Sequence, residues 1–143
     1  MVVSLKGKRV YLDTNTIIYA LEGIPEFANL KAGLLDPLDK GELIVVTSEL
    51  TLVETIVGPR KSGSKSDEAI FRAFLTPSAN VVLEPISMQV LEKVIDLRAQ
   101  FGFKVPDAIH LATGMLAGCD AFITNDSHWS KAGVTVIDPS TVG

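Results

Sequence analysis

Short runs of β-branched and aliphatic residues alternate along this chain with longer stretches of helical period, and no other feature narrows the fold as far. Residues 8–13, 43–47, 81–83, 121–124 and 134–137 read as strands. Between them, helices are expected to open near Asn15 or Thr16, at Pro25 and Glu26, after the N-cap Ser48, near Asp67, after Ser87 and at Pro106. Gly41 is the expected stop of a helix over residues 25–40, Gly58-Pro59 of the Ser48 helix, and Gly102 and Gly118 of the last two. Residues 60–66 hold only Arg, Lys, Ser and Gly and read as a mobile loop. Strands separated by helices require right-handed crossovers, so the expected fold is α/β. Its sheet is mostly parallel, of about five strands, with helices on both faces. No repeat, low-complexity tract or long linker divides the sequence, and residues 1–143 are read as a single domain.

A chain of this length buries about 68–70% of its unfolded surface and needs no covalent staple. Its 47% apolar and 21% charged residues exclude disorder. Cys119 stands alone, which rules out an internal disulfide and suits a reducing compartment. No apolar run reaches the ~18 residues of a membrane helix, because Thr47, Ser48, Glu49 and Glu54 break the longest one. The first nine residues lack the apolar centre of a secretory leader, so the expected location is cytoplasmic.

Thirteen Lys and Arg against seventeen Asp and Glu give a formal charge of −4. The sequence pI is about 5.1, which argues against a plain nucleic-acid-binding module. It leaves room for an enzyme that gathers carboxylates around divalent cations, since a bound ion reverses the local field.

Open α/β sheets gather function at the carboxyl ends of their strands. Asp13 ends the first strand and Asp126 follows the strand at 121–124, so both fall on that edge. Glu54 lies in the second turn of the helix capped by Ser48, among Leu50, Thr51 and Val57. Asp107 lies in the first turn after Pro106, where the helix dipole favours an acid. Taken singly, an Asp at a strand end is often a turn residue, and Asp107 a dipole partner. Four acids from four segments on one rim would repel one another unless a cation joined them. Oxygen-only donors suit Mg²⁺ or Mn²⁺. Zinc is disfavoured, because Cys119, His110 and His128 show no ligand spacing.

The sequence resembles PIN-domain ribonucleases, in particular the VapC-type toxins of prokaryotic toxin–antitoxin pairs. The resemblance runs from Val10 to Pro139. It is carried by Leu12-Asp13-Thr14-Asn15, residues 48–54 (SELTLVE), residues 106–113 (PDAIHLAT) and Thr124-Asn125-Asp126. It implies a PIN-like fold and a divalent-metal-dependent endoribonuclease that hydrolyses RNA phosphodiesters. Its metal-binding and catalytic acids would be Asp13, Glu54, Asp107 and Asp126, supported by Asn15, Ser48 and Thr124. It further implies an Mg²⁺ or Mn²⁺ cofactor, an RNA substrate, a protein antitoxin and a homodimer, for which the helix at 25–40 offers a surface. His128-Trp129 departs from the phenylalanine usual shortly after the last acid.

Other residues admit two readings. His110, on the face of Asp107, either steadies that acid or a phosphate, or packs as a hydrogen-bonded core histidine, and packing is preferred. His128 and Trp129 either stack a base or anchor a loop, and anchoring is preferred. Arg60, Lys61 and Lys65 are the basic cluster, read as an RNA-phosphate clip or as solvated charge. A haloacid-dehalogenase-type phosphatase wants a second carboxylate two residues after Asp13, where Asn15 stands. The alternatives carried forward are a non-toxin PIN nuclease of RNA processing and a non-enzymatic α/β binding module.

Overall fold

The computed structural model describes residues 2–143; Met1, the first residue of the start read as leader-free, lies outside them. Five strands form one parallel sheet: β1 (Arg9–Leu12), β2 (Ile44–Ser48), β3 (Val81–Glu84), β4 (Ala121–Ile123) and β5 (Val136–Ile137), in the order β3-β2-β1-β4-β5. The helices are α1 (Thr14–Glu22), α2 (Asp36–Asp39), α3 (Glu49–Ser62), α4 (Lys65–Leu75), α5 (Met88–Phe101) and α6 (Val105–Leu116). The expected α/β architecture is therefore present. No helix among the described residues is long and apolar enough to cross a membrane.

Strand β1 is central and its side chains alternate between two cores, as the pleat requires. Val10 and Leu12 join Ile17, Leu30, Leu34, Ile56 and Phe71 on one face of the sheet. Tyr11 joins Val90, Val94, Leu97, Leu111 and Phe122 on the other, under α5 and α6. Helix α6 lies hard against this second layer because Gly114 has no side chain: a Cβ there would run into the Phe122 ring and stand 3.0 Å from Tyr11 Cδ2. That close approach sets where the first turn of α6, with Asp107 and His110, meets the sheet edge.

Three expectations are corrected. Residues 25–40 do not form one helix: a 3₁₀ turn (Pro25–Phe27), a π turn (Lys31–Leu35) and the short α2 follow in succession. Pro37 has no N–H for the preceding turn, and a wider π turn precedes it in a helical run that continues from residue 29 to 39. The apolar side of this segment, Leu30, Leu34 and Leu38, packs into the core.

Helix α3 continues through Pro59 to Ser62, so Arg60, Lys61 and Ser62 are helical rather than loop, and Lys65 and Ser66 open α4. An interior proline costs about 3 kcal/mol, so tertiary contacts must outweigh it. Ile56 buries with Phe71 and Leu75 of α4, and Gly63, at φ 73°, turns the chain and donates its N–H to the Pro59 carbonyl. Finally, β1 stops at Leu12, and Asp13 becomes the N-cap of a helix that opens at Thr14.

Candidate active site

As the cap of α1, Asp13 accepts the Thr16 N–H at 2.8 Å on Oδ1, while its Oδ2 accepts the Thr124 hydroxyl at 2.5 Å. The residue is only 7% exposed, and both of its carboxylate oxygens are held by hydrogen bonds. Thr124 Oγ1 also accepts the Asp126 N–H at 3.1 Å, so one buried hydroxyl ties Asp13 to the segment carrying Asp126.

Glu54 meets α1 and α6. Its Oε1 accepts the Thr14 hydroxyl at 2.6 Å and bonds His110 Nε2 at 2.7 Å. His110 is buried, and its other nitrogen, Nδ1, meets the Tyr11 hydroxyl at 2.5 Å. Burial pushes the Tyr11 phenol well above its ordinary pKa, so it keeps its proton. The phenol then donates to Nδ1, which leaves the Nε2–H to donate to Glu54. Burial by itself raises the Glu54 carboxyl, but the bonds from His110 and Thr14 outweigh it and the net shift is downward. Glu54 is a stable carboxylate.

Asp107 behaves in the opposite way. It is half-buried, and first burial and then the nearby Asp126 charge raise its carboxyl, with His110 and the Trp129 indole pulling down. Its charged form is therefore stressed.

Asp13, Asn15, Glu54 and Asp107 line one open cleft of about 420 Å³, together with Thr14, His110 and Trp129. Asp126 stands beside this cleft without lining it. Its carboxylate caps its own 3₁₀ turn (Ser127–Ala132), accepting the His128 N–H at 3.0 Å. Ser48 is buried under α3 as its N-cap, accepting the Leu50 N–H at 3.0 Å, and supports Glu54 only through the helix. Thr124 supports Asp13 directly. Among the described residues, no three His, Cys, Asp or Glu side chains come close enough together to enclose a metal by themselves.

The basic cluster lies elsewhere. Arg60 is committed to Glu68 through two bonds of 2.9 Å, and with Arg72 it holds the Glu68 carboxyl down at about 2. Lys65 lines a separate groove between α3 and α4 with Arg60 and Arg72.

Thr14 escaped notice in the sequence because its partner is forty residues away and no local pattern reveals it. His110 is the packed, hydrogen-bonded histidine of the second reading, and the acid it holds is Glu54 rather than Asp107. The signal was its position one turn after Asp107. Trp129 is buried, as an anchoring residue would be, and it also forms part of the cleft wall.

The PIN domain profile matches residues 10–134. The chain belongs to the PIN domain family. Among solved structures, this PIN domain is similar to a toxin–antitoxin complex from Klebsiella pneumoniae, at 27% identity and a TM-score of 0.69, covering 91% of this chain and 97% of that one. VapBC2 from Rickettsia felis, bound to a promoter DNA fragment, shares the fold at 17% identity and a TM-score of 0.69, covering 90% and 97%. Mycobacterium tuberculosis VapC20, described as a sarcin–ricin loop cleaving toxin, shares it at 21% identity and a TM-score of 0.63, covering 88% and 96%. No curated protein matches the chain by sequence.

Proposed function

We propose that this PIN domain is a divalent-metal-dependent endoribonuclease and the toxin of a toxin–antitoxin pair. The observation that carries the proposal is the cleft itself, which Asp13, Glu54 and Asp107 line from three separate segments of the chain. Two of these acids are pinned by hydrogen bonds, and the third carries an unrelieved charge.

The donor chemistry fits Mg²⁺ or Mn²⁺. All three lining acids offer carboxylate oxygens, the donor type of an ion that keeps several waters and takes only a few protein ligands. Asp13, Glu54 and Asp107 would hold it, with Asp126 as an outer acid. When bound, the cation supplies positive charge to a phosphodiester and a more acidic water for in-line hydrolysis. The chain's own residues do the rest. Thr16 and Thr124 keep Asp13 in one rotamer, and the Tyr11–His110 pair keeps Glu54 ionised and oriented. Asn15, exposed at the start of α1, offers a neutral amide to a phosphate oxygen where a further acid would repel it.

The toxin assignment draws on the similar structures, among them the Klebsiella toxin–antitoxin complex and a toxin described as cleaving the sarcin–ricin loop. The same reading expects RNA as substrate, a protein antitoxin and a homodimer.

The test is cleavage of RNA by the purified chain with Mg²⁺ or Mn²⁺, its arrest by EDTA, and its loss in Asp13→Asn. Cleavage at the wild-type rate by Asp13→Asn sinks the site assignment. Metal-dependent cleavage without growth arrest on expression would instead mean a nuclease of RNA processing.

A further inference from the structure

Trp129 is the chain's one tryptophan, and its ring is almost wholly buried. Among the described residues, its Nε1 is the one buried side-chain nitrogen or oxygen without a hydrogen-bond partner. A buried donor left unpaired costs stability, and a plain phenyl ring in this place would avoid that cost.

Nor is the ring free to turn elsewhere. It stacks near-parallel on His110, with centroids 6.0 Å apart and planes at 21°. Phe122 meets it edge-on at 6.1 Å, and Tyr11 stands at 6.5 Å. The 3₁₀ turn that carries it is capped by Asp126. Rings on several sides thus fix the direction of the N–H.

Trp129 shares the wall of the acidic cleft with Asp107. The indole is near enough to draw the Asp107 carboxyl downward, yet short of a formed bond. Because Nε1 is itself buried, an RNA oxygen cannot reach it. Asp107, half-buried in the first turn of α6 and on the same cleft, is the acceptor beside it.

We propose that Trp129 is a positioning residue: when a divalent cation enters the cleft, its indole N–H donates to the inner carboxylate oxygen of Asp107 and leaves the outer oxygen facing the ion. The inference rests on the metal-dependent nuclease reading and adds a residue to it. An apolar anchor thereby becomes the outer support of a ligand.

A single tryptophan makes the bond directly observable. In the full chain labelled with ¹⁵N, one indole N–H resonance is expected, and Mg²⁺ should move it downfield and slow its exchange with solvent. In Asp107→Ala, which keeps the indole, Mg²⁺ should no longer produce that shift. Trp129→Phe should weaken Mn²⁺ binding, measured by calorimetry, by about tenfold, the low end for losing an outer support of a metal ligand. A shift that survives Asp107→Ala, or that appears only when RNA is added, overturns the proposal. So does a normal Mn²⁺ affinity in Trp129→Phe beside an affinity lost in Asp13→Asn, and there the nuclease reading stands. If the wild-type chain binds neither metal, both fall together.

Discussion

Replacing Thr124 by Val tests whether the cleft is held from behind. The two side chains have nearly the same shape, so no cavity is created; only the hydroxyl is lost. That hydroxyl makes two bonds in the folded chain, donating to Asp13 Oδ2 at 2.5 Å and accepting the Asp126 N–H at 3.1 Å. The first involves a charged acceptor in a buried setting and is worth roughly 1.5–3 kcal/mol; the second is an ordinary bond of about 1 kcal/mol. Thr124→Val should therefore lower stability by roughly 2–4 kcal/mol, a large share of the 5–15 kcal/mol typical of a domain. Urea unfolding followed by circular dichroism gives the number, and Thr124→Ser is the control. Serine keeps the hydroxyl and loses one methyl, so it should cost only about 1 kcal/mol. Mn²⁺ affinity should fall in the Val variant and be largely kept in the Ser variant, because Asp13 is freed in the first alone. If Val costs less than about 0.5 kcal/mol, or if Ser and Val are equally destabilised, the hydroxyl is not the anchor and the reasoning fails.

Gly114→Ala should destabilise by about 1–3 kcal/mol through overpacking against Phe122 and Tyr11, and an unchanged thermal midpoint would mean that α6 can lift away freely. Glu54 titrates below its ordinary value, so its bonds stabilise the fold above pH 4.5 and that contribution is lost as pH falls through the lowered value; unfolding of Glu54→Gln should show a weaker acid dependence there. Asp107 titrates above its ordinary 3.8, so its charged form costs stability at neutral pH. Asp107→Asn should therefore unfold at higher temperature than wild type at pH 7, with the advantage fading as acid protonates the wild-type group. With Arg60 committed to Glu68, replacing Arg60, Lys61 and Lys65 together by Ala should remove about two phosphate contacts rather than three. The slope of log K against log salt for single-stranded RNA would then fall by about 1.4, and an unchanged slope would leave the cluster as solvated surface.

What the sequence disclosed and what it withheld divide along the range of the forces involved. Ser48 and Ser87 could be read as caps, and Asp13 and Asp107 as acids at the sheet edge, because each is fixed by neighbours within one turn. The alternation of period does the same for the strands and gives the parallel sheet. Gly58-Pro59 misleads for the complementary reason. Local preference ends a helix there, and packing of Ile56 against Phe71 and Leu75, from a separate helix, carries it on. Residues 25–40 have a helical pattern, but the regular helix is kept only from residue 29 to 39 and with a π turn at Lys31–Leu35 beside Pro37, as Leu30, Leu34 and Leu38 settle into the core. At the site, the types of the acids were legible and their partners were not. The Thr14–Glu54 and Tyr11–His110 contacts span 40 and 99 residues, and no local window contains both members. Asp126 could be placed at the edge from its strand, while its rotation toward the His128 N–H is a detail of the turn that follows.

The chain of bonds from Tyr11 through His110 to Glu54 starts on the central strand, in the buried layer under α5 and α6, and ends at the open cleft. A site on a loop can fray while the rest of a protein stays intact. Here the acid's orientation is held by groups that open only when the whole sheet opens. Heat inactivation and global unfolding should share one midpoint, and a preparation that has lost its cleft geometry will have lost its fold as well.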